Sequence, residues 1–159
     1  SQILRSEIQR GAELTNAETV KLVQAVSYLE NLKVESAIPI LDELLDSHPA
    51  SVTILQNKAI GLITQIKLNS DKIGDPSLPQ EQIDALRATL PDLFEEAKKT
   101  LELARSAEPK NVDLARLDVT REERRIAQLP PVMENTLKQA LLEQILKFLE
   151  DFPGDPVLT

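Results

Sequence analysis

Two prolines, Pro49 and Pro109, each end a run of residues with nearly the same pattern of apolar and small side chains. The positions 5, 8 and 12 residues before each proline are Leu44, Leu41 and Ala37 in one run, and Ala104, Leu101 and Ala97 in the other. Gaps of 3 and 4 residues put such positions on one face of a helix, and proline ends a helix because it cannot donate a backbone hydrogen bond. A helix repeated in this way predicts stacked helical hairpins, which usually bind other molecules and rarely catalyse reactions.

The amino-acid composition favours an all-α protein with an aliphatic core. Of the 159 residues, 42% are hydrophobic but only 3% are aromatic, and there are four glycines. A chain of this length can bury one sizeable core, or several stacked units that share one. The low glycine content and the scarcity of β-branched runs suit helices better than sheets.

The charge and the residue types argue against several function classes. The formal net charge is −8, there is no cysteine, and no apolar run approaches the ~18 residues that span a membrane. We therefore expect no nucleic-acid binding, no membrane insertion and no cysteine chemistry. No signal peptide is visible, so we expect a cytoplasmic protein. The start at Ser1 rather than Met indicates a processed protein or an excised part of a longer one.

The first part of the chain predicts three helices. Residues 1–14 form a short N-terminal helix, and Thr15 and Glu18 form a capping box at the start of the next helix. The apolar stripe of that second helix contains Val20, Val23, Ala25, Val26 and Leu29. The third helix ends at Pro49, and Pro39 lies near its start, where a missing N–H costs little.

A further helix over residues 51–68 leads into the part of the chain that we expect to be least regular, Leu68 to Thr89. The inward side of this helix consists of Val52, Leu55, Ala59, Leu62, Ile63 and Ile66. Turn-forming residues dominate from Asn69 to Pro79, and residues 80–89 add at most a short helix. Pro91 then restarts a helix that ends near Ala107.

Two more helices are expected in the last third of the chain. Asn111 caps a helix from Val112 to about Gln128, and its charged second half, Thr120 to Arg125, is expected to project into water. The last helix, from about Val132 to Asp151, carries apolar residues on more than one face. It is therefore expected either to be heavily buried or to need a further neighbour.

The spacing of these residues resembles a tetratricopeptide repeat, a helix-turn-helix unit of about 34 residues. Tyr28 lies 9 residues before Ala37, and Ala37 lies 12 residues before Pro49, as in that family. The second unit departs from the pattern because 35 residues separate Leu62 from Ala97, where the family has about 9.

The resemblance implies a single domain over residues 1–159, built as a short α-solenoid of stacked antiparallel hairpins. Repeat 1 covers residues 17–50, repeat 2 covers 51–110 with an insertion at about 68–93, and a degenerate third repeat or capping helices cover 111–153. In such a solenoid the first helix of each hairpin lines a concave groove.

The first-helix positions that point away from the partner helix are the candidate partner-binding residues. They are Thr53, Gln56, Asn57 and Ile60 in the second unit, and Arg116 and Thr120 in the third. In the first unit the corresponding residues are Val23, Val26 and Leu29. Family members that clamp a C-terminal carboxylate need Lys, Arg and Asn there, and only Asn57 matches, so a more apolar peptide or helix is the expected ligand.

Nothing in the residue pattern predicts catalysis, and we expect no enzyme activity, no cofactor and no metal. His48 is the only histidine, and its place beside a proline is typical of a solvated helix end. A partial calcium-loop pattern at Asn69, Asp71 and Gly74 has Ile73 where the loop needs an oxygen ligand and Gln80 where it needs a Glu.

The basic cluster of Arg116, Arg121, Arg124 and Arg125 has two interpretations. It forms either ion pairs on an exposed helix or a contact for an acidic peptide. The leading hypothesis for the whole chain is a non-catalytic scaffold that holds a peptide or helix of a partner protein. The alternatives are an enzyme or metal-binding helical domain, and a structural or homo-oligomerisation domain of a larger protein.

Overall fold

The computed structural model describes residues 14–129 and 131–152, with the backbone alone for 131–134, and these residues form six α-helices and no strand. The helices are α1 (Asn16–Glu30), α2 (Val34–Ser47), α3 (Val52–Ile73), α4 (Gln80–Ala107), α5 (Val112–Ala127) and α6 (Pro131–Asp151). The predicted all-α class is confirmed. The predicted N-terminal helix over residues 1–14 lies, apart from its last residue, outside the described part of the chain.

The third helix is the centre of the arrangement. Each helix packs against the next one along the chain, and α3 also contacts both α1 and α5. By contrast, no Cα atom of α2 lies within 8 Å of a Cα atom of α4 within the described residues. The helices α1, α3 and α5 therefore adjoin, while α2 and α4 lie apart on either side of α3.

The core contains all six residues that the repeated pattern singles out. One cluster joins α3, α4 and α5, and a second joins α1, α2 and α3. The alanines at positions 25, 37, 59, 97 and 104 are all completely buried. Their small side chains let neighbouring helices approach closely, and each fully buried leucine or isoleucine between them contributes about 1.5–3 kcal/mol.

Polar side chains cap the N-termini of three of the helices. The capping box predicted at Thr15 is present, because the Glu18 backbone N–H donates to Thr15 Oγ1 over 3.1 Å and the Thr15 N–H donates to Glu18 Oε1 over 2.9 Å. Asn111 caps α5 as predicted, and its Oδ1 accepts hydrogen bonds from the backbone of Asp113 and Leu114. Ser51 caps α3 in the same way.

The segment expected to be least regular, Leu68 to Thr89, is largely helical, although it contains the longest connection between helices among the described residues. Helix α3 continues to Ile73 and α4 already begins at Gln80, which leaves only residues 74–79 as a connection. The physical reason is packing, because Ile66, Leu90 and Phe94 form a small buried cluster between the two lengthened helices. This tertiary contact overrides the turn preference of the Asn and Ser residues nearby.

Two prolines lie inside helices rather than at their starts. Pro91 does not restart a helix but lies within α4, and Pro39 lies within α2. Both are exposed. Water can therefore bond the carbonyl that each proline leaves without an intrahelical donor, so the helices continue.

The apolar stripe predicted for α1 is partly wrong. Leu22, Ala25 and Leu29 are buried, whereas Val20 and Val23 are 67% and 64% exposed. The predicted stripe was wider than the side of this helix that α2 and α3 cover, and these are the two helices that contact it within the described residues.

The burial of the last two helices, α5 and α6, differs in part from what the sequence predicts. Arg121 lies in the segment expected to project into water, yet it is buried. Helix α6 packs on α5 through Phe148, with Phe152 beside it at a ring-centroid distance of 5.0 Å. Because Leu142 and Leu146 are 48% and 57% exposed, α6 is not heavily buried, and a face of it has no neighbour within the described residues.

Candidate functional site: the first-helix face

Helix α3 contacts both α1 and α5, and we call the side of these helices that carries the candidate residues the first-helix face. It is defined by the candidate residues Thr53, Gln56, Asn57 and Ile60 of α3, with Arg116 and Thr120 of α5. The α3 positions are spaced by 3, 1 and 3 residues and the α5 positions by 4, so each set lies along one side of its own helix. The two helices are in contact.

The N-terminal end of the α3 set is more buried than the sequence suggested. Thr53 is only 9% exposed, so it does not form an open part of the face. The side-chain amide of Asn57 donates to the backbone carbonyl of Thr53 over 2.9 Å, which holds Asn57 against its own helix. Asn57 is half-buried and still offers its side-chain carbonyl.

Two polar atoms of this face have no hydrogen-bond partner within the described residues. They are the hydroxyl oxygen of Thr53 and the side-chain carbonyl oxygen of Gln56. An unsatisfied buried polar atom costs about 1–3 kcal/mol. Because Gln56 is only half-buried, rotation of its amide can present the oxygen to a donor on another molecule.

The middle of the face is apolar and the α5 edge is polar. Ile60 is half-buried, and the neighbouring Thr64 hydroxyl donates to the Ile60 carbonyl over 2.7 Å. On α5, the Thr120 hydroxyl donates to the carbonyl of Arg116 over 3.0 Å. Arg116 lies 3.5 Å from the carboxylate of Asp113, and its side chain is 35% exposed.

Helix α1 contributes one exposed apolar side chain. Val23 is largely exposed and Val26 is half-buried, in agreement with a place beside the face. Leu29 is buried instead, and its side chain packs near Gly61 of α3. A Cβ built on Gly61 would lie 3.1 Å from Leu29 Cδ2, so the absence of a side chain at Gly61 permits this close approach.

His48 and Glu18 form a structural pair away from this face. His48 Nε2 lies 2.8 Å from Glu18 Oε2, which joins the end of α2 to the start of α1. A hydrogen bond from the Thr15 backbone lowers the pKa of Glu18.

Within the described ranges, no three His, Cys, Asp or Glu side chains are placed to hold a metal ion. Nor is any helix there both long and apolar enough to cross a membrane.

The basic cluster on α5 forms an ion-pair network that the sequence did not predict as buried. Arg121 pairs with Asp118 at 3.0 Å and with Glu122 at 2.9 Å, and Arg125 pairs with Glu122 at 2.8 Å. Burial raises the pKa of Glu122, but the hydrogen bond from Arg125 and the charge of Arg121 outweigh burial and lower it. The spacing of three residues in Asp118–Arg121 and Glu122–Arg125 was the available signal.

No protein-family model, curated protein or solved structure in the comparisons matches this chain. The proposal for its function therefore rests on its own residues and their geometry.

Proposed function

We propose that this chain is a non-catalytic protein-interaction scaffold of tetratricopeptide-repeat type, which holds a peptide or helix of a partner protein on the first-helix face. In this proposal, α1 and α2, α3 and α4, and α5 and α6 are three successive hairpins. The insertion of the second repeat lengthens α3 and α4 rather than forming a loop. A cytoplasmic location stays a prediction.

The observation that carries the proposal is the difference between the two layers of helices. First helices α1, α3 and α5 adjoin, whereas no Cα atom of α2 lies within 8 Å of one of α4 among the described residues. An array whose one layer is close-packed and whose other layer is spread bends toward the close-packed layer. The first-helix face would then be concave, which is the surface that helical-repeat proteins use for binding.

The side chains of the face indicate the chemistry of the partner. Val23 and Ile60 offer apolar contact, and Gln56 and Asn57 offer side-chain carbonyls to N–H donors. Arg116 lies at the α5 edge and is partly exposed, so it can approach an acidic group. We therefore expect a segment with apolar side chains in its middle and a carboxylate at one end.

The test starts from a random peptide library displayed on phage and selected against the chain. Affinities of the selected peptides are then measured for a double variant, Asn57→Glu with Arg116→Glu. A matched control, Ser47→Glu with Lys99→Glu, introduces the same change in charge at exposed positions on the second helices. We expect the face variant to lose about 10-fold or more in affinity, a cost of about 1.4 kcal/mol. The control should retain the affinity of the wild type.

Two results would contradict the proposal. One is that the selected peptides bind the face variant as tightly as the wild type while both variants unfold at unchanged denaturant concentration. The other is that only the control loses affinity, which would move the binding surface to the second helices.

A second candidate function is homo-oligomerisation through α6. It is favoured by the exposed Leu142 and Leu146, which lie one helical turn apart on a helix that contacts only α5 within the described residues. Molar mass from light scattering tests it, with Leu142→Glu and Leu146→Glu as the disrupting variants. A monomeric wild type at high concentration would remove this alternative.

A further inference from the structure

A pocket lies away from the first-helix face, between α4 and the C-terminal half of α5. Its volume is about 650 Å³, within the range of small-molecule sites, about 300–1,000 Å³. One wall is the middle of α4, and the other is formed by the end of α5 and Leu129 after it. The side chains of residues 121–125, expected to project into water, partly line it instead.

The base of this pocket is apolar. Leu90 and Phe94 are 6% and 9% exposed, and both line the pocket along one side of α4. Leu129 is half-buried opposite them. A ligand with an apolar body would remove these side chains further from water, at about 25 cal/mol for each Å² buried.

The rim carries positive charge although the chain as a whole is acidic. Four cations and two carboxylates line the pocket, which leaves a formal charge of +2 in a chain of net charge −8. Arg121 and Arg125 are already paired with Glu122. The side chains of Arg87 and Lys98 are exposed and have no hydrogen-bond or ion-pair partner among the described residues.

We propose that this pocket binds a carboxylate carried on an apolar body, with the carboxylate at Lys98 and the body against Leu90, Phe94 and Leu129. A single negative charge fits better than a doubly charged phosphate, because Glu95 stands exposed on the same rim and Glu122 remains ionised inside it. The carboxylate comes either from a free fatty acid or from the C-terminus of a peptide. The proposal does not depend on the function of the first-helix face.

The experiment titrates the full chain with decanoate and follows the backbone amide signals of Leu90, Phe94 and Leu129 by NMR. Decanol, which has the same apolar body and no charge, is the matched ligand. A peptide ending in Leu-Leu, with a free or an amidated C-terminus, tests the second source. We expect saturable shifts with decanoate or the free-acid peptide, and weak or no shifts with decanol and the amide.

Three variants separate this site from general electrostatic attraction. Lys98→Glu should weaken binding about 5- to 10-fold, which corresponds to about 1–1.4 kcal/mol. Lys99→Glu makes the same charge change at the next residue of α4, which does not line this pocket, and should change the affinity less than 2-fold, about 0.4 kcal/mol. Glu95→Gln should tighten binding, because it removes the opposing charge from the rim.

Saturation by decanoate alone would support a small acid, and saturation by the free-acid peptide alone would support a peptide terminus. The proposal fails if neither acid binds, if decanol binds as tightly as decanoate, or if Lys98→Glu and Lys99→Glu weaken binding equally.

Discussion

The side-chain amide of Asn69 on α3 donates a hydrogen bond to the hydroxyl oxygen of Thr89 on α4, over 2.9 Å. Asn69 also accepts a hydrogen bond from the Gln65 side chain over 2.7 Å, and it is only 5% exposed. This chain of polar groups joins the two helices in the segment that the sequence marks as turn-forming. It therefore adds a directional contact to the apolar cluster of Ile66, Leu90 and Phe94.

Replacement of Asn69 by Ala should destabilise the fold by about 1–2 kcal/mol, because it removes both hydrogen bonds and leaves the half-buried Gln65 amide without its acceptor. Urea unfolding followed by circular dichroism measures the change. Lys67→Ala on the same helix is the control, since Lys67 is exposed and should stay within about 0.5 kcal/mol of the wild type. Equal stability of the Asn69→Ala variant and the control would contradict the role of this contact.

Ala97→Leu should cost about 1–3 kcal/mol through overpacking. Ala97 is completely buried in the cluster that joins α3, α4 and α5, so extra methyl groups must displace neighbours such as Leu62. The midpoint of chemical unfolding reports the effect. Lys98→Leu, at the next and exposed position, is the matched substitution, and an unchanged midpoint for Ala97→Leu would show that the helices are not closely packed there.

Leu32→Gly should stabilise the protein by about 0.5–1 kcal/mol. Leu32 has a φ of 59°, in the left-handed region that favours glycine, and its side chain is 57% exposed, so little packing is lost. The turn is a Schellman motif, because the backbone N–H of Lys33 donates to the Tyr28 carbonyl over 2.8 Å and that of Leu32 to the Leu29 carbonyl over 3.0 Å.

The control for this turn is the preceding residue. Asn31 has a φ of −96°, which any residue adopts, so Asn31→Gly should lower the thermal midpoint while Leu32→Gly raises it. If both glycine variants lower the midpoint, the strain assigned to Leu32 is absent in solution.

The Glu122 ion pairs should make stability depend on acid pH. The folded-state pKa of Glu122 lies below the ordinary value of 4.5. Its stabilising contribution is therefore complete above that ordinary value and is lost as the pH falls through the lower folded-state pKa. Glu122→Gln should be less stable than the wild type by about 1 kcal/mol near neutral pH.

Unfolding free energies measured from neutral pH down to about pH 3 test this linkage. The difference between wild type and Glu122→Gln should shrink as the pH falls. Glu123→Gln is the reference variant, because Glu123 is the next residue and is exposed. A difference for Glu122→Gln that stays constant over the whole range would show that the carboxylate charge is not the source of the stabilisation.

Local signals in the sequence predicted much of the fold correctly. The capping groups at Thr15 and Asn111 were recognisable because each needs only a polar side chain next to a helix start. The buried alanines at 37 and 97 followed from spacing before a proline. All of these depend on residues no more than 12 positions apart in the sequence, so no knowledge of distant contacts was needed.

Distant contacts decided the remaining features. The lengths of α3 and α4 could not be read from turn-forming residues such as Asn69, because Leu90 and Phe94 lie on the other helix and stabilise the segment from there. The burial of Arg121 likewise depends on α4 packing beside α5, where Asp118 and Glu122 supply its counter-charges. The pocket between α4 and α5 also exists only because these two helices pack side by side.

What the sequence by itself determined is therefore local, namely which segments are helical, where several of them begin, and which small residues face a neighbour. What only the tertiary structure decided is which helices adjoin, how far the two longest ones extend, and which charged side chains are buried. Helix formation depends on hydrogen bonds between residues four apart, whereas burial depends on surfaces brought together from distant parts of the chain.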